Sequence, residues 1–172
     1  MLHVHEVIPA GADSDDAAAP AGTVTLTFDQ RRRSRLLAEL DDGRELALML
    51  PRGTALRDGD RLRARDGGGV VIVRAAAESL SVAHTPDPHL LTRAAYHLGN
   101  RHVPVQIGAV TLAYAHDHVL DDMVRGLGLD VQARVAPFQP EGGAFEGGHD
   151  HHHHGDDHDH HHDDGHGGGH HH

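Results

Sequence analysis

The sequence has no cysteine, no lysine and no tryptophan, and only two tyrosines and three phenylalanines. Each absence closes off some chemistry. Without cysteine there are no disulfides and no thiolate metal sites, so imidazole and carboxylate are the metal ligands that remain. Without lysine, a Walker-type phosphate loop and Schiff-base catalysis are excluded. The scarcity of aromatics leaves cores to be built from Val, Leu, Ile and Ala, and removes the stacking surfaces that RNA binding needs. Positive charge is also short: the formal net charge is −11, so nucleic acid is not an expected partner and cations are. No apolar run approaches the ~18 residues of a membrane span. Met1 to Glu6 lacks the basic-then-apolar pattern of a signal peptide. The expected setting is the cytoplasm, away from any membrane.

Histidine is in excess. Of 21 histidines, thirteen lie in the last 24 residues: His149, His151, His152, His153, His154, His158, His160, His161, His162, His166, His170, His171 and His172. Six aspartates and five glycines complete that segment, with no apolar side chain. It cannot build a core, so residues 149–172 read as a disordered tail. Neutral imidazoles on a flexible chain can converge on one ion, with carboxylates adding oxygen ligands. An expression tag would be an uninterrupted run. Here the longest run, His151 to His154, is followed by aspartate-interleaved histidines, which favours a natural metal-binding tail.

The rest of the chain reads as two domains. In residues 1–75, short alternating segments stand between Gly/Asp turns. Val24, Leu26 and Phe28 alternate with Thr23, Thr25 and Thr27. Leu36 to Leu40 and Glu45 to Leu50 flank the Asp41-Asp42-Gly43 turn. Leu62 and Ala64, then Val70 to Val73, follow the Asp58-Gly59-Asp60 turn. This spacing predicts a small β-barrel or sandwich. Arg31, Arg32, Arg33 and Arg35 read as solvated loop charges. His3 and His5 read as exposed strand residues.

Residues 76–136 predict a ferredoxin-like βαββαβ domain, making the whole chain α+β. Ser79 to Ala83 alternates as a strand. Asp87-Pro88 starts a helix whose face is Leu90, Leu91, Ala94, Ala95 and Leu98, and Gly99-Asn100 stops it because both tolerate φ > 0. Val103 to Ile107 and Val110 to Tyr114 read as a hairpin. Asp117 caps a second helix with Val119, Leu120, Met123, Val124 and Leu127 inward, and Leu129 to Val135 is the last strand. Residues 137–148, with two prolines and four glycines, read as a linker to the tail.

Tyr114 to Met123 is the densest set of metal ligands outside the tail. His118 falls on the first helical position, where the positive helix end disfavours imidazolium. Asp121 and Asp122 are expected on its face. One histidine with carboxylates is a sparse site, and a two-fold axis would double it, giving an interface metal in a homodimer. The competing reading is an exposed capping segment with incidental histidines. His84 and His89 are expected exposed, and His97 and His102 structural.

Several segments together resemble one family. They are Tyr96 to Ile107 (Tyr-His-Leu-Gly-Asn-Arg-His-Val-Pro-Val-Gln-Ile), His116 to Met123 (His-Asp-His-Val-Leu-Asp-Asp-Met) and Pro137 to Phe145. With Asp42-Gly43-Arg44 and Leu50-Pro51-Arg52-Gly53, they are similar to the urease accessory protein UreE family. The resemblance implies a nickel metallochaperone and not an enzyme. It implies a homodimer that hands Ni(II) to the urease apoprotein through a complex with the accessory GTPase UreG. The family's interface histidine is placed by this resemblance at His118, with further ligation from His116, His102 or the tail, the tail being preferred. Zn(II) or Cu(II) can occupy the same nitrogen donors in vitro. The alternative function is a cytoplasmic His-rich buffer for Ni, Zn or Cu.

Overall fold

The computed structural model describes residues 1–12 and 20–142. The tail from His149 to His172, residues 143–148 of the expected linker and residues 13–19 lie outside the described residues.

The N-terminal half forms a six-stranded mixed sheet. Its strands are β1 (Leu2–Ile8), β2 (Gly22–Leu26), β3 (Arg35–Glu39), β4 (Glu45–Met49), β5 (Arg61–Ala64) and β6 (Val70–Ala75). They lie in the order β2-β6-β5-β1-β4-β3, with β1/β4 and β2/β6 parallel. The two edges approach each other, so the sheet is nearly a closed barrel. The turn after β3 is stitched to β2: Asp41 N–H donates to Thr23 O at 2.9 Å, Thr23 Oγ1 to Asp41 Oδ2 at 2.6 Å, and Thr25 N–H to Asp41 Oδ1 at 3.1 Å. Inside is an aliphatic core of Val4, Val24, Leu26, Leu46, Leu48, Leu62, Val71 and Val73, as the lack of aromatics requires.

The second half runs β7 (Ala77–His84), α2 (Pro88–Gly99), β8 (Gln106–Ile107), β9 (Thr111–Ala115), α3 (His118–Gly126) and β10 (Asp130–Pro137). The sheet order β10-β7-β9-β8, antiparallel throughout, is the ferredoxin-like arrangement. Asp87 caps α2 by accepting from His89 and Leu90 N–H, with Pro88 at the first position. Ala94 and Leu98 of α2 and Val124 of α3 pack on Ala83, Leu112, Tyr114 and Val131 of the sheet. The fold is therefore α+β, as the patterning predicts. Among the described residues no helix is long and apolar enough to cross a membrane.

The structure departs from the sequence reading at the seam between the halves. Phe28 does not continue β2. Thr27 caps a short helix, α1 (Phe28–Arg31), with Gln30 completing a reciprocal capping box. Arg31 is only 1% exposed and is not a solvated loop charge, although Arg32, Arg33 and Arg35 are exposed. Burial holds its pKa below the ordinary arginine value, opposed by the charges of Glu78, Asp58 and Asp60. Its Nη1 donates to Leu56 O at 3.1 Å and to Gln139 Oε1 at 2.9 Å, and its Nη2 to Phe138 O. Phe28 N–H donates to Glu78 Oε1 at 2.7 Å, and the Phe28 and Phe138 rings meet edge-on at 5.4 Å. The segment read as a linker thus begins as packed structure, with Phe138 and Pro140 buried. Residues 103–105 are not strand, since only Gln106 and Ile107 pair with β9.

Candidate metal centre

Strand β9 delivers Tyr114 inward and leaves His116 at the strand end, where its N–H donates to Ser79 O at 3.1 Å. Asp117 then turns the chain into α3 by accepting from Val119 N–H at 2.8 Å and Leu120 N–H at 3.2 Å. That cap sets His118 at the first helical position, exposed to solvent and followed by Val119 at 63% exposure.

Below His116 lies a buried polar cluster. Tyr114 Oη donates to Asp121 Oδ1 at 3.0 Å. Ser81 Oγ lies 2.9 Å from His116 Nδ1, and Asp121 Oδ2 lies 3.5 Å from that same nitrogen. Arg125 approaches Asp121 at 3.8 Å and Asp122 at 3.5 Å. Burial, reinforced by the bond to Asp121, pushes the Tyr114 phenol well above its ordinary pKa. Asp121 therefore does not join His118 as an open ligand. It is 4% exposed and serves His116 from beneath, while Asp122 stays at the surface. Sequence reading missed Ser81 and the polar role of Tyr114. A hydroxyl at a buried position of β7 was the one signal available.

His102 stands apart, in the turn after α2. It is the only non-glycine residue with positive φ among the described residues, at +57°. The expected left-handed positions, Gly99 and Asn100, are not used: Asn100 has φ of −60°. The turn instead closes through His102 N–H to Gly99 O at 2.9 Å and Val103 N–H to Leu98 O at 3.3 Å. His102 is exposed on a cleft of about 340 Å³ that Phe28, Arg57, Pro140 and Gly142 also line. His84 and His89 are exposed, and His97 is half-buried edge-on to Tyr96. Among the described residues, no three His, Asp or Glu side chains converge into a metal cage. The expected tail ligands lie outside the described residues.

These elements have counterparts in known proteins. Residues 4–76 match the UreE urease accessory protein N-terminal domain, and residues 78–172 match its C-terminal domain. A urease accessory protein UreE of Pseudomonas putida (strain W619) is 58% identical over 132 residues, covering 77% of this chain and 82% of the relative. Another, of Alkalilimnicola ehrlichii, is 54% identical over 147 residues, covering 86% of each. With both domain matches spanning nearly the whole length, the chain belongs to the UreE urease accessory protein family.

Proposed function

We propose that this chain is a nickel metallochaperone. It takes up Ni(II) as cargo on its imidazoles and passes it to apo-urease in the cytoplasm. It works as a homodimer, in company with the accessory GTPase UreG and the urease apoprotein complex. Family membership supports a role in urease maturation, and the donor set of imidazole and carboxylate suits a borderline divalent ion.

The observation that carries the reading is the backbone of His102. A left-handed residue after a helix is ordinarily glycine or asparagine, and a β-carbon there costs about 1 kcal/mol. Here the position holds histidine, with Gly99 and Asn100 close by and used otherwise. Such outliers gather at functional sites. We place the shared two-fold ligand at His102 on this ground, in preference to His118. His116 and His118 supply a second, peripheral pair. Gly142 lines the same cleft as His102, and His149 follows seven residues later, a span of at most about 25 Å. The tail can therefore supply imidazoles to His102 at high effective concentration.

Calorimetric titration of Ni(II) into the full chain, His102→Ala and His118→Ala tests this. Loss of the tightest binding in His102→Ala alone is the expected result. Loss in His118→Ala alone moves the shared ligand to α3. Tight binding unchanged in both sinks the two-fold site. Transfer is read by incubating the nickel-loaded chain with the urease apoprotein complex and measuring urease activity.

A further inference from the structure

Arg31 does more than tie the two halves together, because it also places its neighbours. Its carbonyl accepts from Leu56 N–H at 2.9 Å, and its Nη1 donates to Leu56 O at 3.1 Å. That two-way link lashes residues 51–57 to α1. It brings Arg32 and Arg57, the next residues along each segment, to the one cleft that His102, Glu141 and Gly142 also line. The Arg32 guanidinium lies over the Phe28 ring, 5.4 Å from its centroid. Ala55 and Arg57 line a second cleft as well, of about 430 Å³, together with Arg52 and Asp60. The two clefts are thus continuous, and three arginines border them. Arg32, Arg52 and Arg57 are all exposed, and among the described residues none of their guanidinium groups pairs with a carboxylate. The acids in the groove are Glu141 and Asp60. Asp60 is only 5% exposed, and its oxygens accept from Ala10 and Arg57 N–H. The groove is therefore a basic surface on a chain whose net charge is −11.

We propose that this arginine groove is the docking site of the chain's own acidic tail, residues 149–172, held by its aspartates and not by metal. Two observations choose this occupant. The tail carries six aspartates and no basic residue, which complements three unpaired guanidinium groups. The described chain also ends in the groove, at Gly142, so the tail starts beside its site. Each exposed guanidinium–carboxylate pair is weak, about two- to fivefold in affinity. Three pairs would not hold a free peptide tightly. Tethering raises the local concentration to about the millimolar range, where weak pairs suffice. Docking sets the tail histidines over His102 before any ion arrives. Because the contact needs no metal, it stands or falls apart from the reading of His102 as a nickel ligand.

The absence of cysteine makes the test direct, since Gly165→Cys gives the full-length chain a single thiol for a nitroxide spin label. Paramagnetic broadening of backbone amide signals is then read in chelator-treated, metal-free protein at low ionic strength. The amides of Ala55, Arg57 and Val103 should broaden. Tethering alone brings some label to the cleft, so the comparison is with a chain whose six tail aspartates are asparagine. Broadening at the groove should be at least about twofold weaker in that chain, as expected from the loss of several pairs. It should weaken similarly in Arg32→Gln/Arg57→Gln, and on raising salt to about 0.5 M, where exposed charges are screened. The asparagine tail leaves every described residue intact, which covers the case in which the arginine variant does not fold. Groove broadening that is equal with aspartate and asparagine tails overturns the proposal. So does broadening that salt leaves unchanged, or that gathers on His118 and Val119 in place of the groove. A groove contact that depends on the aspartates upholds it, whatever the nickel titration of His102→Ala shows.

Discussion

Arg31 Nη1 donates to Gln139 Oε1 at 2.9 Å across 108 positions of sequence, tying the helix that follows β2 to the segment that leaves β10. Glu78, which accepts from Phe28 N–H, completes a polar seam between the barrel and the ferredoxin-like domain. The seam also fixes where the tail departs. Glu141 N–H donates to Val105 O at 2.9 Å, so Gly142 is held at the cleft beside His102.

Replacing Arg31 should therefore act on stability before metal binding. Arg31→Ala leaves the carbonyls of Leu56 and Phe138 without this donor, leaves Gln139 Oε1 with only the Asp58 N–H, and opens a void. The expected loss is about 3 kcal/mol, from unpaired buried acceptors and lost packing. Arg31→Met refills the space but not the hydrogen bonds, and should lose less. Urea unfolding of the two variants checks the order. Equal stabilities for wild type and Arg31→Ala would show that the seam contributes nothing.

How much of this was legible in the sequence depends on the range of the interactions. The strands of both sheets follow from alternation and turn residues, and the caps of α2 and α3 from Asp87 and Asp117, because these are local signals. Alternation carried Phe28 into β2 wrongly, although Thr27 and Gln30 carry a capping-box signature in the sequence itself. The burial of Arg31 has no local signature, since its partners come from Leu56, Phe138 and Gln139. Asp121 was read by helical spacing as a neighbour of His118. Its actual partner, Tyr114, lies on a strand that helical periodicity does not reach. Glycine and asparagine both permit left-handed backbone, so propensity alone could not single out His102.

His102 offers a separation of stability from binding. His102→Gly relieves the left-handed β-carbon, an effect of up to about 1 kcal/mol against the added freedom of the unfolded chain. The variant should melt at or slightly above the wild-type temperature while losing the tightest Ni(II) binding. Thermal unfolding and nickel titration on the same preparation check both. A glycine variant that melts well below the wild type would mean that the imidazole is held for structure.

The barrel closure should show in acid. The Thr23 hydroxyl chiefly, and then Thr25, holds the Asp41 carboxyl below its ordinary pKa. A carboxylate with a depressed folded pKa contributes stability that is present above the unfolded value, about 3.9, and lost as pH falls through the folded value. Asp41 is exposed, so the contribution is small. Asp41→Asn should be less stable than wild type at neutral pH, with the gap narrowing below about pH 4. Denaturant midpoints measured from pH 7 down to pH 2.5 test this. A gap that stays constant with pH would mean that ionisation of Asp41 is irrelevant to closure.

Truncation after Gly148 separates capacity from the defined site. It removes thirteen of the 21 histidines and none of the described contacts, which end at Gly142. If three or four imidazoles take each ion, the tail accounts for about three or four ions per chain. The truncated dimer should then keep about one Ni(II), because a two-fold axis makes one shared site from two chains. Below about pH 6, protons compete with metal for the tail imidazoles, so full-length stoichiometry should fall toward that of the truncated form. Calorimetry at pH 7.5 and pH 5.5 on both forms supplies the four numbers required. A truncated dimer with no nickel at neutral pH would put the whole metal function in the tail, and the ordered domains would then serve the encounter with urease alone.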